Sequence, residues 1–262
     1  MNKLMHFIGK NIVALTNKNL EILKIIPYSF YSIIRDIRIK RKSFSRTLSR
    51  EIFYSGVSSV PMVMSLGLFI GFITVFLFPF DKINFGITNI YGSLYSIIIL
   101  QYFAPVMTSL IVIIRSTIYI TVQITQMKIG GEIDTIKVLG IDPIQYLGSV
   151  RVLAGVIVVP ILTIYFLFGS FFSGMLSANI LYNVPFLEYI LQIKDTIDSK
   201  GVVTCFLKTI ISGIIIFKVA IYYGLSAEKD RTMIISKTIR AITVSIVLIL
   251  AFNFIATFIV YL

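Results

Sequence analysis

The chain has 262 residues, of which 57% are hydrophobic and only 14% charged, whereas an ordinary soluble domain is about a quarter charged. With a mean hydropathy of +0.93 this composition excludes a soluble enzyme and predicts one membrane domain, because a bilayer core about 30 Å thick takes about 20 apolar residues per helical crossing. The 24 Lys and Arg stand against 12 Asp and Glu, a net charge of +12; they crowd into segments between apolar runs, so membrane topology accounts for them before nucleic acid does. Cys205 and His6 are each the single residue of their type, which leaves neither an intrachain disulfide nor a zinc cluster. No metal or cofactor is expected.

Residues 1–34 alternate apolar and basic positions, as in Met5, Phe7 and Ile8 beside Lys3 and Lys10. They are too interrupted to span; they read as interfacial amphipathic helices lying along the membrane, the alternative being a cleaved transit peptide, against which stand Glu21, Asp36 and the lack of a small-residue cleavage site. Arg35, Arg38, Lys40, Arg41, Lys42, Arg46 and Arg50 follow, opposed by Asp36. Such a run in front of an apolar stretch stays on the cytoplasmic or stromal side and fixes orientation. The fold expected is therefore all-α, with residues 1–50 as interfacial and basic segment and 51–262 as membrane domain.

Five spans are predicted, at about 57–80, 94–122, 146–181, 202–223 and 241–262. With residues 35–50 inside, the loops at 123–145 and 225–240 also fall inside and hold Lys128, Lys137, Lys229, Arg231, Lys237 and Arg240, while the outside loops hold Lys82, Lys194 and Lys200. The positive-inside rule is satisfied throughout, and the C-terminus is expected outside. Gly67 and Gly71 in the first span, and the rows Gly169, Ser173, Ser177 and Ser170, Gly174, Ala178 in the third, mark close helix approach, either within the monomer or at a subunit interface.

No HExxH, DxxDG, GxSxG or Walker A pattern occurs, so any energy for transport has to come from a partner. The most informative stretch is the polar loop 127–146. Gly130 and Gly131 break the preceding helix; Glu132 and Asp134 fall in the first turn of a short helix and Lys137 near its end, the order that the helix dipole favours. Gly140 reads as a stop, with Asp142 and Pro143 as N-cap and first position of the next helix. Ile133, Ile136 and Leu139 fall at helical spacing on one side. Such an element is either a connector or a coupling helix, near 131–140, that enters a groove on a cytosolic motor subunit.

From Pro105 to Pro160 the chain resembles the MlaE-type permeases of ABC lipid transporters, a family that includes bacterial phospholipid permeases and the chloroplast trigalactosyldiacylglycerol permease. The resemblance rests on Pro105-Val-Met-Thr108, Arg115, Met127, Ile133-Asp134, Gly140-x-Asp142-Pro143-x-x-Tyr146-Leu147, Arg151, Ala154 and Pro160, and continues through Leu207-Lys208, Gly213, Tyr223-x-Leu225 and Thr238-x-Arg240-Ala241. The chain departs from the family at Tyr102, where an acid is usual, at Ala104, a glycine, at Gln123 and Gly131, both glutamates, and at 233–237, a glycine-rich turn.

The resemblance implies a permease subunit without a catalytic site of its own. It implies a homodimer, a separate ABC ATPase, an MCE-type substrate-binding protein on the far side, and a phospholipid or other polar lipid as cargo. Abundant Ile, Lys, Asn, Tyr and Phe are what an AT-rich genome writes, that of a plastid or a reduced bacterium; together with the resemblance this makes the plastid envelope the expected location, with a bacterial inner membrane as the alternative. Two other functions compete: a scaffold without transport activity, kept open by the missing carboxylates, and an ion-coupled secondary transporter, against which stands the lack of an acid within the predicted spans. Arg115, inside an apolar run, either snorkels to the inner surface or pairs with a partner or a lipid phosphate.

Overall fold

The computed structural model describes residues 41–77, 96–228 and 230–261. The expected interfacial helices of residues 1–34 lie outside the described residues, as do Arg35, Asp36, Arg38 and Lys40. The described residues are helical with no strand: α1 (Arg41–Ser55), α2 (Val60–Leu77), α3 (Ile98–Ile129), α4 (Glu132–Val138), α5 (Pro143–Tyr182), α6 (Phe186–Thr196), α7 (Ser199–Leu225) and α8 (Met233–Tyr261). Five stretches, Ser45–Leu77, Ile98–Ile129, Tyr146–Tyr182, Ser199–Leu225 and Met233–Val260, are long and apolar enough to cross a bilayer.

The first of these stretches begins well before the position that hydropathy suggests. α1 carries the basic run through residue 50 into Glu51–Ser55, and a 3₁₀ turn, Val57–Ser59, links it to α2. Charges at 46 and 50 hide the helix from a hydropathy reading, although its other face is buried. A further helix, α6, occupies the loop expected outside; its Tyr189 is 3% exposed and Leu187 69% exposed.

α5 is the central element, packed on α2, α7, α1 and α3. Lipid offers apolar side chains nearly as good an environment as a protein core, so close backbone approach and interhelical hydrogen bonds carry much of the specificity. At the α2–α5 contact, a Cβ on Gly71 would lie 2.1 Å from the Ser170 carbonyl oxygen and 2.2 Å from Ser173 Oγ, and one on Gly67 would lie 2.5 Å from the Phe166 carbonyl oxygen. Gly169 answers from the other side, 2.9 Å from the Met64 carbonyl oxygen. These residues meet within one chain; Ser173 and Gly174 are buried, and Ser177 Oγ donates to the Ser173 and Gly174 carbonyls.

A second crossing, between α5 and α7, depends on Gly155 and Gly213: a Cβ on Gly213 would sit 2.4 Å from the Gly155 carbonyl oxygen. α3 and α5 are joined by a buried hydroxyl pair, Thr108 Oγ1 to Thr163 Oγ1 at 3.1 Å. Between α7 and α8, Asp230 accepts from the Thr232 amide at 3.1 Å and the Thr232 hydroxyl at 2.6 Å. Those bonds hold its carboxyl below the usual range.

Candidate functional site

Four features bear on function: a polar cluster at the inner end, a π-helical arginine, an outer cavity and the short inner helix. α3 is interrupted by two π-helical turns, Ile98–Phe103 and Ile113–Thr117. Such turns release backbone groups from the regular ladder and recur at functional positions. Pro105, buried at the start of the regular segment between them, has no amide hydrogen to return to that ladder. Its carbonyl accepts instead from Ser109 Oγ at 2.6 Å.

Arg115 lies in the second π turn, and its Nη1 donates to the Ser58 carbonyl in the 3₁₀ turn between α1 and α2. The pairing joins two irregular segments, a guanidinium from one meeting in the other a backbone carbonyl that a continued regular helix would have satisfied internally. Arg115 itself is exposed, so the cation stays accessible while one of its donors is anchored.

The inner ends of α1, α3 and α5 converge on Arg151, which is 6% exposed. Its Nε makes an ion contact with Glu51 Oε1 at 3.3 Å without hydrogen-bond alignment, its Nη2 donates to Gln123 Oε1 at 2.8 Å, and its Nη1 donates to the Leu147 carbonyl at 3.0 Å. Glu51 is the acidic residue that the sequence reading leaves outside the spans; it is 3% exposed and belongs to the first apolar stretch. Its partner stands 100 positions away in the chain, so no local pattern signals it. Pro160, also on α5, is half-buried one turn before Thr163.

The outer cavity lies between α3 and α8, about 510 Å³, with Gln101, Tyr102 and Val106 on one wall and Asn253, Phe254 and Thr257 on the other. Lys208, 3% exposed, sits behind it on α7 and donates to Thr257 Oγ1 at 2.8 Å and to the Gln101 carbonyl at 3.4 Å. Its Nζ is 5.9 Å from the centre of the Tyr102 ring, within cation–π range. Asn253 Oδ1 is buried with no hydrogen-bond partner among the described residues. Apolar walls with a few hydroxyl and amide groups, and a cation behind them, suit an amphiphile, and the volume is that of a small-molecule site.

At the opposite end, α4 is bracketed by two left-handed glycines, Gly131 (φ 78°) and Gly140 (φ 73°). Glu132 and Asp134 occupy its first turn and Lys137 its last. Gly140 closes it with a Schellman arrangement, the Ile141 amide donating to the Ile136 carbonyl at 3.2 Å and the Gly140 amide to the Lys137 carbonyl at 2.9 Å. Asp142 Oδ1 then accepts from the Ile144 amide at 3.0 Å, and Pro143 opens α5. The apolar residues do not share one buried side. Ile133 is 2% exposed, Ile136 is half-buried and Leu139 is 68% exposed, because the helix ends at Val138 and Leu139 is its cap. Val138, at 87% exposure, joins Leu139 in an apolar tip directed away from the bundle.

Among the described residues no group of three or more His, Cys, Asp and Glu could hold a metal ion. Comparison with known proteins matches residues 48–259 to the family described as Permease MlaE. A probable ABC transporter permease protein of Synechocystis is 24% identical over 79% of this chain and 78% of its own length. The intermembrane phospholipid transport system permease protein MlaE of Haemophilus influenzae is 24% identical over 84% of this chain and 85% of its own. The Arabidopsis thaliana protein TRIGALACTOSYLDIACYLGLYCEROL 1, chloroplastic, is 23% identical over 83% of this chain and 62% of its own. An all-helical bundle with five apolar crossings, matched across four-fifths of its length, belongs to the MlaE permease family.

Proposed function

We propose that the chain is the permease subunit of an ABC transporter that moves a phospholipid or other polar lipid between membranes, in a plastid envelope or a bacterial inner membrane. It works as a homodimer with a separate ATPase and an MCE-type protein on the far side, and it makes or breaks no bond itself. Its relatives are named as ABC permeases and, in one case, as an intermembrane phospholipid transport protein, which supports this reading. The outer cavity receives the lipid: the headgroup sits toward Gln101 and Thr257, which Lys208 holds from behind, and Val106 on one wall and Phe254 on the other line the chains.

The observation that carries the reading is the apolar tip of α4, Val138 and Leu139, exposed in a loop that also carries Lys128 and Lys137, the charges by which the positive-inside rule puts it inside. Exposed apolar residues on a rigid, polar-flanked knob fit a groove on a partner. α4 is joined to α5 by a four-residue link, 139–142, so a push on the tip is delivered to the central helix of the bundle. Transport then requires two conformations with different affinity for the lipid, the ATP-driven one being imposed through α4.

The test is co-purification of the ATPase with a Val138→Asp, Leu139→Asp double variant. Membrane insertion and permease recovery should stay normal, because both side chains already face outward, while ATPase recovery falls at least tenfold, about 1.4 kcal/mol or more. Undiminished ATPase recovery would make α4 a connector; absence of any ATPase with the unaltered protein would favour the scaffold function.

A further inference from the structure

A second cavity lies at the inner end of the bundle, between the start of α5 and the end of α7, and nothing in the transport cycle proposed above uses it. Ile144, Gly148 and Val152 form one wall; Lys218, Tyr222 and Ser226 supply the polar groups of the other. The two remaining lining residues are apolar, so none of the eight carries a carboxylate. Lys218 is only 6% exposed, so its ammonium is held inside the protein rather than extended into bulk water.

We propose that this cavity binds the headgroup of an inner-leaflet phospholipid that is net anionic, its phosphate uncompensated by a cationic group of its own, with Lys218 as the counter-charge. With no acidic residue in its lining, the cavity takes its charge character from the lysine, and an anionic group is the complementary occupant. Tyr222 and Ser226 add hydroxyl oxygens to the lining, the Ser226 hydroxyl donating to the Tyr223 carbonyl at 3.0 Å. The volume, about 200 Å³, is below the ~300 Å³ at which sites for whole small molecules begin. It accommodates a headgroup phosphate and the first carbons of its chains, not a whole lipid. The acyl chains leave past Ile144, which is 45% exposed at the rim.

Position supports the same occupant. α7 has 27 residues, about 40 Å at 1.5 Å per residue, which exceeds the ~30 Å hydrocarbon core. Lys218 stands seven residues before the inner end at Leu225, about 10 Å below it; with the excess length shared between both ends it lies about 5 Å inside the hydrocarbon boundary, within snorkelling reach of the headgroup layer. Lys208, by contrast, is ten residues further along the same helix toward the outer side, about 15 Å away, so the two cations serve different leaflets.

Gly148 supplies an independent sign of a built space. A Cβ there would meet only Ile221 Cδ1, at 3.9 Å, which is ordinary contact. Unlike Gly155 and Gly213, it is not forced by a backbone crossing; the missing side chain is part of the cavity itself.

The experiment is native mass spectrometry of the detergent-purified full chain with added phosphatidylglycerol or phosphatidylcholine at equal concentration. One paired lysine is worth about 1 kcal/mol toward an anionic lipid, so the unaltered protein should carry about five-fold more phosphatidylglycerol. Lys218→Met should abolish that preference, Lys218→Arg should retain it, and Lys208→Met should leave it unchanged. Gly148→Leu keeps the amine and fills the space, so it should also lose the bound lipid, and it decides the question if Lys218→Met does not fold. Equal retention of the two lipids by the unaltered protein, or full retention of phosphatidylglycerol by Lys218→Met or Gly148→Leu, overturns the proposal. Displacement of the lipid by millimolar inorganic phosphate also overturns it, since the cavity would then hold a soluble anion. Failure of lipid transport in the assembled complex, with phosphatidylglycerol still held at Lys218, would count against the transport reading alone.

Discussion

Arg151 draws its negative charge from Glu51 and its neutral acceptor from Gln123, the reverse of what the resemblance to the family leads one to expect at position 123. A glutamate is usual there, yet here the amide oxygen of Gln123 sits 2.8 Å from Arg151 Nη2 and the carboxylate comes from α1. One charge has in effect been supplied from a different helix, and α1 is thereby tied to α5 at the inner end of the bundle. The absence of a carboxylate at 123 does not leave Arg151 uncompensated.

This arrangement predicts a charge-swap rescue. Glu51→Gln leaves a buried guanidinium without a counter-ion, a change that costs about 3–5 kcal/mol in buried pairs. Adding Gln123→Glu restores a carboxylate at an atom that already contacts Nη2. Denaturant unfolding in mixed micelles should show a large loss for the single variant and recovery of most of it for the pair. A double variant as unstable as Glu51→Gln alone would mean that the packing of the Glu51 side chain, not its charge, holds α1 in place.

The glycine crossings predict unequal costs for similar substitutions. Gly71→Leu forces a Cβ to within 2.1 Å of a backbone oxygen, which α5 cannot relieve by moving a side chain, whereas Ile164, 51% exposed, tolerates Leu. Overpacking costs typically about 1–3 kcal/mol and more where backbone must move. Size-exclusion recovery in detergent should fall sharply for Gly71→Leu and Gly213→Leu and stay unchanged for Ile164→Leu. Equal recovery of all three would mean that α2 and α7 do not pack on α5 through these glycines.

The sequence makes some of this legible and hides the rest for identifiable reasons. The long apolar crossings stand out through hydropathy, and the bounds of α4 through Gly131, Gly140 and Asp142, because those signals are local. Glu51 is concealed by the cations at 46 and 50 in the same helix, and its partner lies across the fold. Gly155 meets Gly213 only because two helices cross there, and a lone glycine in a span carries no sign of its partner. The amphipathic α6 is overlooked because its charged residues, Glu188 and Lys194, make it read as a loop. The side chain of Leu139 follows the turn rather than the helical period, so periodicity misplaces it.

Topology is tested by cysteine labelling in a Cys205→Ala background, where the buried native thiol no longer contributes. Ser45→Cys and Asp230→Cys should react with an impermeant maleimide from the side on which the ATPase binds, and Lys194→Cys, exposed on α6, from the opposite side. The basis is the charge asymmetry, Lys and Arg being retained on the inner side. Labelling of Lys194→Cys and Asp230→Cys from the same side would require one crossing fewer between them and would remove α7 from the spans.

Gly140 tests whether the pose of α4 matters beyond its surface. Its φ of 73° is open to glycine at little cost, tolerable to asparagine, and costs other residues about 1–2 kcal/mol. Two hydrogen bonds, from Gly140 and Ile141 back to Lys137 and Ile136, depend on that conformation, and Gly140 lies within the four-residue link, 139–142, to α5. Gly140→Ala removes no exposed apolar group from the tip and adds nothing a partner would clash with, since a Cβ at Gly140 has no neighbour within 4 Å. Its effect acts through backbone strain: the link either pays for the left-handed state or rearranges and redirects α4 relative to α5. With Gly140→Ala, the ATPase should still co-purify, but its stimulation by lipid should drop, while Gly140→Asn retains both. Unchanged stimulation in Gly140→Ala would mean that motor movements reach the bundle without a fixed α4 pose, and the mechanical role assigned to the link would have to be given up.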